Sequence, residues 1–163
     1  GERIVFSARQ PGRPERLFVQ SVKGSPPEPI TPEGVSMIGI TKLVSPDGRL
    51  VVGLRDGVAA LYPLKGGEAL PIQGLLPGDL PTQWSNDGRA LYLQRDDSPG
   101  KIWLLDRSTS QRRLYKDLPA PQAGAGPGAG NLWGKILLSR DGQSYVRTYS
   151  LWLSDLFVLE GLK

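Results

Sequence analysis

Short apolar runs bounded by polar turns recur along the whole chain. The segment Ser45-Pro46-Asp47-Gly48-Arg49 returns as Ser85-Asn86-Asp87-Gly88-Arg89 and again as Ser139-Arg140-Asp141-Gly142-Gln143. Aligned on glycine, the copies are spaced by 40 and 54 residues. The chain opens on Gly1-Glu2-Arg3-Ile4-Val5-Phe6, which reads as the half following such a turn, 47 residues before Gly48. The repeat anchors therefore fall near 1, 48, 88 and 142.

Three residues after each glycine stand Ile4, Val51, Leu91 and Tyr145, followed by Val5, Val52, Tyr92 and Val146. β-branched and aromatic residues in such short runs predict strands. A second apolar run follows each: Arg16–Val19, Val58–Tyr62, Lys101–Leu105 and Asp155–Leu159. In the first three copies a third strand is predicted at Glu28–Thr31, Ala69–Ile72 and Arg112–Tyr115. A further strand leads into each complete turn, at Ile40–Val44, Pro81–Trp84 and Lys135–Leu138. No helical period occurs. Units of this length predict an all-β chain: a β-propeller or partial propeller over residues 1–163, with about three and a half four-stranded antiparallel blades. A closed ring takes at least about four blades. An arc leaves a blade face and strand edges open, so self-association of the chain is expected. Two such arcs would supply the strands of a seven-bladed ring, with imperfect junctions.

The turn has a chemical logic. Asp47, Asp87 and Asp141 accept hydrogen bonds from nearby backbone, and Gly48, Gly88 and Gly142 take the positive φ of a tight turn. Pro46 pre-sets φ, and Ser45, Ser85 and Ser139 satisfy backbone groups at the strand end. Repeated aspartates also suggest acid catalysis or calcium. They lie one blade apart and should not converge, so these residues are read as turn builders.

Composition then narrows the chemistry. The 163 residues contain no Cys and no His, which removes disulfides, thiolate nucleophiles, the commonest metal ligand and the commonest acid–base residue. No Gly-x-Ser-x-Gly elbow, nucleotide loop or kinase motif is present, and Asp96-Asp97 sits in a turn. No catalytic residue, cofactor or metal is assigned. The 20 Lys+Arg against 16 Asp+Glu are dispersed, with Arg112-Arg113 the one adjacent basic pair, so no nucleic acid is expected. No run approaches a membrane span, so no membrane insertion is expected within this segment.

The Ser-Pro-Asp-Gly-Arg turn with the strands after it resembles the WD40-like (PD40) repeats of TolB-type β-propellers, over nearly the whole chain. Lys101-Ile102-Trp103 and Asp155-Leu156-Phe157 stand where such repeats carry an Asp-Ile-aromatic hairpin. Asn86 and Arg140 replace the turn proline, and Gln143 replaces the arginine. The tail from Ser144 to Lys163 resembles the end of acidobacterial serine/threonine protein kinases that carry a TolB-like propeller after the kinase domain. That resemblance implies a detached C-terminal piece outside the cytoplasmic membrane. Without it, a soluble cytoplasmic or periplasmic placement follows.

Residues 118–130, LPAPQAGAGPGAG, are predicted as a flexible loop. Trp84 and Trp103 are expected between blades. Trp133 and Trp152, together with Arg112, Arg113 and Tyr115 on an outer strand, form the candidate binding surface, although a solvated face is the ordinary reading of the basic pair. Three function classes compete. They are a non-catalytic binding or sensing module of a larger signalling protein, a TolB-type periplasmic scaffold, and an accessory propeller of a hydrolase. The partner, protein or small molecule, is not named by the residues.

Overall fold

The structure, a computed structural model, describes residues 2–37, 43–95, 97–98, 100–119, 136–139 and 141–148. Among them, β1 (Arg3–Ala8), β2 (Arg16–Ser21) and β3 (Glu28–Pro29) form a first antiparallel sheet. A second holds β4 (Leu50–Arg55), β5 (Val58–Pro63) and β6 (Leu70–Pro71). The third holds β7 (Leu80–Trp84), β8 (Ala90–Gln94), β9 (Lys101–Asp106) and β10 (Arg112–Asp117). The fourth holds β11 (Ile136–Leu138) and β12 (Tyr145–Arg147).

The all-β reading and the small antiparallel sheets are as expected from the repeat. The blade count is not fully reproduced. Only the third sheet shows four strands among the described residues. In the second, Val44 bridges Val51 and Ser36 bridges Leu54 in place of a regular inner strand; residues 40–42 of the expected strand lie outside the described residues. The outer strands β3 and β6 span two residues each, not four. Each ends on a proline, Pro29 or Pro71; past Pro29 the Ile30 N–H still donates to the Leu17 carbonyl at 3.0 Å, but the Leu17 N–H turns to the Thr31 hydroxyl and the regular ladder ends. β10 contains no proline and runs six residues. The expected strand Asp155–Leu159 lies outside the described residues.

The sheets pack face to face in chain order. Leu17 and Val19 of the first, Val51, Val52, Leu61 and Tyr62 of the second, and Leu91, Leu93 and Leu105 of the third share one buried cluster. Tyr92 and Ile102 turn to the opposite face of the third sheet and meet Ile136 and Leu138 of the fourth. Alternation along β8 thus buries both faces of that strand, the two-residue period of β structure serving two cores. Burying one such aliphatic side chain contributes about 1.5–3 kcal/mol.

Polar side chains tie one sheet to the next. Trp84 Nε1 donates to the Leu43 carbonyl at 2.8 Å. The Leu138 N–H donates to Gln83 Oε1 at 3.3 Å. Gln94 makes both bonds a neighbouring strand would make: its Nε2 donates to the Ile136 carbonyl at 2.6 Å, and its Oε1 accepts the Ile136 N–H at 3.2 Å.

Candidate functional site

The three Ser-x-Asp-Gly turns have one hydrogen-bond pattern. Ser45 Oγ donates to Asp47 Oδ1 at 2.5 Å and accepts the Leu50 N–H at 2.9 Å, while the Arg49 N–H donates to Asp47 Oδ1 at 3.0 Å. Ser85, Asp87, Arg89 and Ala90 repeat this at 2.6, 3.0 and 2.9 Å. Ser139 donates to Asp141, the Gln143 N–H donates to Asp141 at 3.0 Å, and the Ser144 N–H donates to Ser139 Oγ at 2.9 Å. Gly48, Gly88 and Gly142 carry φ of 68°, 71° and 72°, the left-handed region that the turn demands. Each serine hydroxyl, then the backbone N–H two residues past the aspartate, holds that carboxyl below the usual range of its kind.

These turns lie side by side at one end of the sheets. A Cβ on Gly88 would sit 3.5 Å from Pro46 Cδ of the preceding turn. The β5–β6 and β9–β10 hairpins join the same end, because the Leu64 N–H donates to the Arg49 carbonyl and the Arg107 N–H to the Arg89 carbonyl, both at 2.9 Å. The result is a rim of short, self-satisfied loops. Arg49 and Arg89 project from it with 84% of each side chain exposed, only loosely paired to Asp47 and Asp87 at 3.9 and 4.0 Å. The aspartates are spent within their own turns and do not converge.

The outer-strand residues singled out from sequence serve different purposes. Arg112 is not a solvated cation. Its guanidinium lies 4.2 Å from the Trp103 ring centroid, and its Nη1 reaches Asp79 Oδ2 at 3.2 Å. Tyr115 packs edge-on against Tyr92 at 5.0 Å and donates to the Gly142 carbonyl at 3.1 Å, which anchors the third turn to the third sheet. Burial, then the bond to Tyr115, pushes the Tyr92 phenol up to about 12. Arg113 is exposed over Tyr115. Trp84 is buried between sheets, whereas Trp103 is half-buried under Arg112. Trp133 and Trp152 lie outside the described residues, as do most of loop 118–130 and the tail from 149 onward.

One cluster had no sequence signal. Asp79, its side chain fully buried, takes Arg95 Nη1 at 3.4 Å and Arg112 Nη1 at 3.2 Å, and its Oδ2 also accepts the Leu76 N–H at 2.8 Å. Arg95 in turn forms a two-pronged pair with Asp97 at 2.8 and 2.6 Å. The cluster fastens the crossover between the second and third sheets. Its members are separated by up to 33 positions, so no local spacing announces it.

Two clefts open between neighbouring sheets at the rim. One of about 450 Å³ has walls from Arg3, Val19, Gln20, Glu28, Leu64 and Lys65. The other, of about 210 Å³, has walls from Leu61, Leu70, Ile72 and Arg107. The first cleft also holds Ser21 and Ser25, whose hydroxyls bond to backbone groups of their own hairpin. Among the described residues no group of three His, Cys, Asp or Glu could hold a metal ion. Among them, too, no helix is long and apolar enough to cross a membrane. The sequence carries no nucleotide loop, Gly-x-Ser-x-Gly elbow or kinase motif.

No protein-family model and no curated protein matches the sequence. Among solved structures, TolB from Acinetobacter baumannii superposes with a TM-score of 0.59 at 17% identity, covering 89% of this chain and 34% of that one. A putative TolB from Agrobacterium tumefaciens gives 0.55 at 18% identity, covering 72% of this chain and 43% of that one. The chain thus spans less than half the length of either structure. What the two share with it is a fold: the four small sheets and their rim belong to a distant TolB-like architecture.

Proposed function

We propose that this chain is a non-catalytic protein-interaction module of the TolB type, an arc of blades from a longer β-propeller acting on the extracytoplasmic side of a bacterial inner membrane. The observation that carries the reading is the rim. Three turns of one design satisfy their own polar groups and present exposed side chains on a rigid base, the arrangement that serves recognition rather than reaction. The superposition on TolB over most of the chain supports the same reading. The repeat resemblance to WD40-like (PD40) blades fits it, with β7–β10 as the complete blade. A kinase-linked placement rests on the tail alone. Residues 149–163 of that tail lie outside the described residues, and no comparison favours it.

The test is site-specific photo-crosslinking in a bacterial periplasm. A photoreactive residue at position 89 on the rim is compared with one at position 13 in the hairpin at the far end. Discrete protein adducts at 89 and none at 13 are expected. Adducts at neither position would overturn the reading.

A further inference from the structure

The two clefts occupy one repeat position. Val19 faces Glu28 across β2 and β3 as Leu61 faces Leu70 across β5 and β6. Leu64 closes the first cleft and Arg107 the second, and these two residues make the same backbone bond to the residue after the turn glycine of their own sheet. Leu104 and Arg113, facing each other across β9 and β10, hold the same position in the third sheet. A cleft that recurs with the repeat is made by the stacking of the sheets, not by one irregular loop.

The residue facing across the strands changes from Glu28 to Leu70 to Arg113, but each cleft carries more basic than acidic side chains. Arg3 and Lys65 reach the first cleft from two different sheets, against one acid, Glu28. Among the described residues none of the three is in a salt bridge, and neither Arg107 nor Arg113 has a carboxylate partner. Arg107 is held in place by the Trp84 ring at 4.8 Å and by the Gly88 carbonyl at 3.3 Å, so its remaining donors face solvent in a fixed direction. The aspartates of this edge, at 47, 87, 106 and 141, stay ionised but turn Oδ1 into their own turns, and among the described residues none is paired with Arg3, Lys65 or Arg107. Apolar wall stands beside the cations: Val19 and Leu64 in the first cleft, Leu61, Ile72 and the 46%-exposed Leu70 in the second.

We propose that the row of clefts is a docking groove for an extended acidic segment of a partner protein, one carboxylate to each cleft and the side-chain stems against Leu61 and Leu70. The spacing fits. Packed sheets stand about 10 Å apart. A polyproline II segment repeats every three residues and rises about 3.1 Å per residue, so its acids at every third position point one way about 9 Å apart. The inference rests on the protein-interaction reading above and names its partner's chemistry.

The test uses the full chain and a fluorescein-labelled peptide of Glu-Pro-Ala repeats, read by fluorescence anisotropy. The comparison probes are an isomer with its glutamates contiguous, the Gln-Pro-Ala counterpart, and a single-stranded oligonucleotide of equal charge. The spaced peptide should bind at least about tenfold more tightly than the isomer and the Gln form. Lys65→Glu and Arg107→Glu should each weaken it about five- to tenfold, Lys65→Glu with an unchanged thermal midpoint, while Arg9→Glu at the far end leaves it alone. Equal binding of both glutamate peptides, equal competition by the oligonucleotide, or an equal effect of Arg9→Glu would overturn the groove. So would no peptide binding at all; with adducts still forming at position 89, that result would remove the groove and leave the interaction module standing.

Discussion

The indole N–H of Trp84 donates to the carbonyl oxygen of Leu43 across 2.8 Å, joining two sheets through residues 41 positions apart. Trp84 is buried, and Arg107 covers its outer face. The ring therefore both fills space and gives the Leu43 carbonyl, which also accepts the Val52 N–H at 3.0 Å, a second bond. Trp84→Phe should keep most of the packing and lose the bond, costing about 1–2 kcal/mol in urea unfolding. A loss below about 0.3 kcal/mol would show that water replaces the indole without penalty.

The turn serines differ in shelter. Ser45 is buried and Ser139 is not, although their bonds match. Ser45→Ala leaves the half-buried Leu50 N–H without its partner and should cost about 1–2 kcal/mol, more than Ser139→Ala. Asp47→Ala should cost a similar amount to Ser45→Ala or less, because its partner N–H on Arg49 can turn to water. Equal losses for Ser45→Ala and Ser139→Ala would mean that burial does not set the cost.

Gly142 is constrained twice. Its φ is 72°, and a Cβ there would lie 2.6 Å from the Tyr115 hydroxyl and 2.9 Å from that of Tyr92. Gly142→Ala should destabilise by about 2 kcal/mol or more. Tyr115→Phe removes the nearer oxygen, so the double variant should be more stable than the sum of the two losses implies. Strict additivity in a double-mutant cycle would show that backbone strain alone sets the cost.

Acid should loosen the rim. The carboxyls of Asp47, Asp87 and Asp141 lie below their ordinary value of 3.8, and the turn bonds of Asp106 and the Arg95 pair of Asp97 bring those two to about 2. A carboxyl depressed in the folded state stabilises it above the unfolded value and loses that contribution as pH falls through the folded value. The thermal midpoint should be flat above about pH 5 and drop between about pH 4 and 2. These groups are exposed, so each contribution is small. A midpoint that has already fallen at pH 5 would place the acid transition elsewhere.

Asp79 is the counterion of two arginines and has no access to water. Asp79→Asn leaves Arg95 and Arg112 facing each other without a charge between them. The loss should fall near the low end of the roughly 3–5 kcal/mol seen when a buried pair is broken. Guanidinium unfolding checks it, and a neutral outcome would show that the arginines swing out to solvent.

Sequence reading succeeded where the determinants are local. Ser85, Asp87 and Gly88 specify their turn within a few residues, and the strands follow from apolar runs beside it. It failed where a contact spans the chain. Nothing near Gln94 says that its amide will stand in for a strand against Ile136, and nothing near Arg112 says that Asp79 will bury its charge. Arg112 and Tyr115 were read as an open surface because their strand is outermost. The segment around Asp79 and the turn at Gly142 cover them, and both come from elsewhere in the sequence. The clefts required two sheets at once, so they too were invisible until Leu61 and Leu64 could be set beside their neighbours.

Because every Ser-x-Asp-Gly turn closes its hydrogen bonds within six residues, no turn depends on its neighbour for its shape. Exposed positions such as Arg49, Arg89 and Gln143 can then be rewritten one at a time with little cost to folding. The surface of such a rim and the foldability of the sheets beneath it are therefore separable, so the one can change while the other stays the same.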